Sequence, residues 1–160
     1  MWKYSTYKQF VSNASPIIAL AQINKLDLLE KLFSWVLVPP AVVREISPTV
    51  VLPNWITERA LMHPISSRIL NTSLGPGESE AISLAFEIGS IVIIDERPAR
   101  WLAESLGIDV IGTLGILFKC KQEGFISEIK SYIDELMNNY DFRVANDLYE
   151  RILKETGELP

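Results

Sequence analysis

The chain is 160 residues long with a formal net charge of −5, 48% hydrophobic and 22% charged residues, one cysteine and one histidine. That length supports a single domain able to bury roughly 70% of its unfolded surface, the composition is that of a globular protein, and no apolar run approaches the ~20 residues that span a bilayer. The charge balance disfavours broad affinity for nucleic acid, and a lone Cys120 excludes an internal disulfide or a paired-thiol metal site.

Met1 to Lys8 lacks the apolar core of a secretory signal, so the expected compartment is the cytoplasm, with no membrane partner. Residues 9–12 read as a short first strand. Ser15 followed by Pro16 predicts a helix start, with the serine as N-cap and proline at the first helical position. Asn13 then lies at the carboxyl end of the strand. A helix over 26–33 carries Leu26, Leu29, Leu32 and Phe33 on one face and leads into a buried strand over 35–38. Pro39 and Pro40 end that strand, and residues 41–46 resume as a helix holding Glu45. Asn54 is read as the cap of a short helix running to Leu61, and 62–73 as a loop or weak strand in which His63, beside Pro64, is a surface residue. Leu74-Gly75-Pro76-Gly77 is a turn, followed by a helix over 78–88 that Gly89 ends.

Ile91-Val92-Ile93-Ile94 is an apolar run without alternation, the pattern of a central strand covered on both faces. It runs into Asp95 and Glu96, and in open parallel sheets ligands collect at such strand ends. A helix over 97–106 closed by Gly107, a strand over 109–111, and a helix over 113–123 closed by Gly124 complete the alternation, with Cys120 a core residue of the last helix. Residues 127–138 and 145–154 are two more helices, a C-terminal extension over about 125–160 that packs on the domain or on a partner subunit. Strands alternating with helices predict an α/β fold, a three-layer α/β/α sandwich around a central parallel sheet.

Without a nucleophile elbow, a phosphate-cradling glycine loop or a dinucleotide turn, carboxylates are the only abundant chemical resource. Three acidic stations, Glu45, Glu78 with Glu80, and Asp95 with Glu96, come after turns or open helices, and Asn13 is a polar fourth. Oxygen donors of this kind suit Mg²⁺ or Mn²⁺. Each station also has a structural explanation: first-turn acids favour a helix dipole, Asp95 or Glu96 can cap the next helix, and Glu45 can be a solvated residue beside Arg44.

Five phrases in order carry a resemblance: Val11-Ser12-Asn13-Ala14-Ser15-Pro16-Ile17, Pro39-Pro40-Ala41-Val42-Val43-Arg44-Glu45, Gly77-Glu78-Ser79-Glu80-Ala81-Ile82, Ile94-Asp95-Glu96-Arg97-Pro98-Ala99-Arg100 and Gly112-Thr113-Leu114-Gly115. They resemble PIN-domain proteins, closest to a prokaryotic subgroup described as predicted nucleic-acid-binding PIN proteins. The resemblance implies a parallel-sheet nuclease fold with Mg²⁺ or Mn²⁺ held by acids at the carboxyl edge. It implies a single-strand endoribonuclease, the toxin-like component of a toxin–antitoxin pair, neutralised by a small antitoxin protein and commonly a homodimer. Matched by motif, the family's first acid falls on Asn13, its second on Glu45, its third on Glu80 with Glu78 adjacent, and its fourth on Asp95 or Glu96. Ser15 matches a hydroxyl beside the first acid, and Arg97, Arg100 and Lys119 are the bases available to substrate phosphates. Asn13 stands where many PIN nucleases have aspartate, and its amide oxygen can ligate a cation but brings no charge. The alternative is therefore a catalytically weak PIN scaffold that binds a partner protein or nucleic acid.

Overall fold

The computed structural model describes residues 9–159, so the reading of Met1 to Lys8 lies outside the described residues. In chain order the elements are β1 (Phe10–Ser12), α1 (Ala14–Gln22), α2 (Asp27–Phe33), β2 (Val36–Val38), α3 (Pro40–Ile46), β3 (Ile56–Glu58), α4 (Ser67–Leu70), α5 (Pro76–Ile88), β4 (Ile91–Ile93), α6 (Arg97–Ser105), β5 (Val110–Ile111), α7 (Thr113–Gln122), α8 (Lys130–Asn139) and α9 (Asn146–Glu155). Five parallel strands form one sheet in the order β3-β2-β1-β4-β5. Every residue of β1 and β4 is buried, so helices cover both faces, the three-layer arrangement that the unalternating run at 91–94 predicts.

The register puts Ser12 opposite Ile93, and the Asn13 N–H donates to the Ile93 carbonyl at 2.9 Å. The carboxyl ends of β1 and β4 are therefore level, and the segments leaving the two strands stand side by side. Gly89 closes α5 with φ 66° and ψ 35°, a left-handed conformation that glycine adopts without a Cβ penalty, and its N–H returns to the Ala85 carbonyl. Cys120 is a buried core residue of α7, as read from the sequence, and burial first of all pushes its thiol up to about 12.

Four local readings are corrected. The segment 54–61 is not a helix: Ile56–Glu58 is an edge strand paired in parallel with Val36–Val38, and the Val36 N–H donates to the Trp55 carbonyl at 2.9 Å. Trp55, Ile56 and Thr57 favour extended backbone, and the open edge of β2 supplies the partner. Residues 62–73 are not loop or strand throughout, because Ser67–Leu70 forms a helical turn. Ser15 is not a helix N-cap; α1 starts earlier, with Asn13 in that position. The helix read from 127 begins at Lys130.

The apolar faces of α8 and α9 are used within the chain: Ile133, Leu136, Ile152 and Leu153 are buried in the common core. Glu158 fastens this region by accepting from the Lys121 ammonium at 2.5 Å and from the Ile129 and Lys130 N–H groups at 2.8 Å each. Partial burial pushes the Glu158 carboxyl up, but the ammonium and the two N–H donors outweigh it, so the group lies below the usual glutamate range. A carboxyl depressed in the folded state adds stability above its unfolded pKa of ~4.3, and that stability is lost as pH falls through the lower folded value. Glu158→Gln is expected to lower stability by about 1–3 kcal/mol near neutral pH, the scale of hydrogen bonds to a charged group. The gap should close in acid, which urea melts of both proteins at about pH 7 and about pH 3 will check.

Candidate functional site

Parallel strands all end at one edge of the sheet, and β1, β2, β4 and β5 each pass within a few residues into a helix whose first N–H groups lack intrahelical partners. This edge is a field of backbone donors with acids placed among them. Asn13 sits at its centre as the N-cap of α1, with φ −78° and ψ 171°, yet its side chain makes no capping hydrogen bond. The reason is in the sequence: Pro16 occupies the third helical position, where the usual N–H donor to such a cap is missing. The Asn13 Oδ1 is left buried with no partner in a residue only 2% exposed. A buried carbonyl oxygen without a donor costs about 1–3 kcal/mol unless something electropositive meets it. Ser15 lies in the first turn of α1, half-buried, two residues on.

Asp95 comes just after β4 and is held by one residue. The Thr113 N–H donates to Oδ1 at 2.7 Å and the Thr113 hydroxyl to Oδ2 at 2.6 Å, so both carboxylate oxygens face the start of α7. Desolvation pushes the Asp95 carboxyl up; the Thr113 donors and the Arg100 guanidinium oppose the rise, and Glu96 adds to it. Gly112 makes the seat. A Cβ there would stand 2.6 Å from Arg100 Nη1 and 2.8 Å from Asp95 Oδ1, inside contact distance of both.

On the β2 side, α3 and α5 each cap a first-turn N–H of the other. Glu45 of α3 accepts from the Gly77 N–H of α5 at 3.0 Å, and Glu80 of α5 accepts from the Ala41 N–H of α3 at 2.6 Å. Each carboxylate satisfies an orphan donor of the other helix and meets the positive end of its dipole. Gly77 is again a seat, because a Cβ there would collide with the Glu45 carboxylate. Glu78 is half-buried in the first turn of α5; burial pushes its carboxyl up, as do the charges of Glu96 and Glu45, against a backbone hydrogen bond at Gly75.

The residues singled out from the sequence thus share one edge, but they are not drawn onto one point. Glu45, Glu78 and Glu96 lie within electrostatic reach of each other, and Asp95, Glu96 and Arg100 form the adjoining group. Among the described residues no three His, Cys, Asp or Glu side chains form a ready cation cage. Lys119 forms an ion pair with Glu123 at 2.6 Å, and Arg97 is exposed at the start of α6. By donor chemistry the set fits a hard divalent cation: an orphaned amide oxygen, Asp95, and Glu78 raised by burial and neighbouring charge are all oxygens, with no nitrogen or sulfur among them. Thr113, Gly77 and Gly112 are the site residues that sequence reasoning passed over. Each had one visible signal, a small residue at the first positions of a helix that begins just beyond a strand or turn at this edge.

A family model described as a PIN domain (DUF3368) matches residues 9–158. A PilT N-terminus domain protein from the hyperthermophilic archaeon Sulfolobus solfataricus P2 is similar in structure, with a TM-score of 0.54 and 19% identity over 69% of this chain and 92% of that one, a likeness in fold. No protein among those with curated descriptions matches.

Thr113→Val removes one of the two donors that hold Asp95. Supporting hydrogen bonds of this kind carry about 10–100-fold in metal affinity, so Mn²⁺ binding measured by calorimetry should weaken on that scale, while Thr113→Ser keeps the hydroxyl and stays near wild type.

Proposed function

The chain belongs to the PIN-domain family, whose members are generally nucleases dependent on a divalent metal ion, and from that premise we propose that it is a Mg²⁺- or Mn²⁺-dependent endoribonuclease acting on single-stranded RNA. The observation that carries the reading is the buried, unpartnered Asn13 Oδ1 beside the strand end that bears Asp95. These two residues would hold the cation, with Glu78 and Glu96 flanking it. A bound divalent ion supplies Lewis acidity and lowers the pKa of water, which a site with no histidine or thiol nucleophile needs.

The chain's own groups do the rest. Asp95 is kept in one orientation by Thr113, so its position does not have to be organised during the reaction. Glu78 adds a carboxylate beside the same edge, its charge opposed by burial and by Glu96 and Glu45 until a cation offsets them. Arg100 beside Asp95 and Arg97 one turn earlier on α6 offer charge to substrate phosphates.

We further propose a toxin-like role, a small antitoxin partner and a homodimer, a reading supported only by membership of the PIN-domain family and the resemblance carried by the sequence phrases. Phe86, exposed at a groove of about 560 Å³ that Ile69 and Leu106 also line, offers an apolar surface that such a partner could cover. No described helix is long and apolar enough to cross a membrane. A second reading, a catalytically weak PIN scaffold that binds a partner protein or nucleic acid, is favoured by two observations: Asn13 brings no charge where an acid would, and Glu45 and Glu80 are already engaged with backbone donors.

Wild-type protein incubated with labelled single-stranded RNA should cleave it with Mn²⁺ and not with EDTA. Asp95→Asn should lower the rate by ~100-fold or more, the scale of losing one preorganised electrostatic group; unchanged cleavage would remove Asp95 from the site. Asn13→Asp should bind Mn²⁺ more tightly than wild type, and a wild type that neither binds Mn²⁺ nor cleaves, beside an Asn13→Asp protein that does both, would establish the scaffold reading.

A further inference from the structure

α6 begins two residues after Asp95, so its first turns stand over the candidate centre. Its inward side is set by Ala99, Leu102 and Ala103, all buried. At 100° per residue the opposite side carries Arg97 and Trp101, one turn apart with a rise of about 6 Å, and Arg100 on the flank that faces Asp95. Trp101 is 71% exposed. A single exposed aromatic is unremarkable in itself; this one comes after two arginines on a helix that starts at a phosphodiester-cleaving centre. Single strands are bound where cationic groups track the backbone and an aromatic face accepts an unstacked base.

Resting on the nuclease reading above, we infer that Trp101 is a stacking platform for a base of single-stranded nucleic acid whose flanking phosphates are met by Arg97 and Arg100. The site takes any base, because every base offers a π-face and no groove edge is read. Glu104, exposed one turn beyond Arg100, ends the basic stretch, so the platform serves one or two nucleotides and leaves the strand directed at Asp95.

The test is titration of a short labelled oligouridine at low salt, in EDTA and again with Ca²⁺, against wild type, Trp101→Ala, Trp101→Phe and Trp35→Ala. Trp35 is 59% exposed before β2, at the opposite end of the strands, and serves as the control. Trp101→Ala should bind roughly tenfold or more weakly, with Trp101→Phe and Trp35→Ala near wild type. Arg97→Ala should reduce the slope of log Kd against log salt by ~0.7. If wild type binds and Trp101→Ala binds equally well, the platform is overturned and the nuclease reading stands. If wild type neither binds nor cleaves the oligonucleotide, both fall. A Trp101→Ala protein that keeps its RNA affinity but changes from dimer to monomer in sedimentation would instead assign Trp101 to a protein interface, against the inference.

Discussion

Backbone N–H groups at the starts of helices, gathered along one edge of a parallel sheet, are the constraint on which this structure turns. They need acceptors, and here side chains supply several of them. Glu45 and Glu80 answer that need between α3 and α5, and Asp95 answers it at α7. Acids are therefore at this edge for two reasons at once: they finish the helices, and they provide the oxygen donors a hard cation requires. The first role needs no ion.

The two roles compete for the same oxygens. Glu45 and Glu80 each spend one on a helix N-terminus, which holds the carboxylates outside a common point and explains why no cage is preformed among the described residues. Asn13 does the reverse. Pro16 removes the donor that would ordinarily occupy its oxygen, so this polar group, relieved of helix-capping duty, is neutral and deeply buried. Neutrality there also adds no further like charge to Glu78 and Asp95, which burial raises first of all and neighbouring carboxylates raise in addition.

Most of the architecture was legible in the sequence because it rests on patterns of several residues. Ile91 to Ile94 could only be a strand covered twice, and glycines at 89, 107 and 124 sit just past helix ends, each with positive φ. The edge strand at Ile56–Glu58 was not legible, because three residues carry no period and their extended form depends on the vacant edge of β2. In the same way, the acids and Asn13 could be named from type and spacing, and their common edge is a consequence of parallel strands. The partners they touch could not be read. That Glu45 and Glu80 cross-cap two helices, and that Thr113 holds both oxygens of Asp95, depends on contacts spanning 32, 39 and 18 residues, which no local pattern encodes.

The absence of a side chain at Gly77 ties its evolution to that of a residue on another helix. Any methyl introduced there meets the Glu45 carboxylate first, and because that carboxylate ends a flexible, exposed side chain, the acid swings aside. Alanine at 77 would therefore be accommodated at the cost of the hydrogen bond that Glu45 accepts there, so the two positions are expected to be coupled in a pairwise variant library, although neither looks coupled to the other in the linear chain.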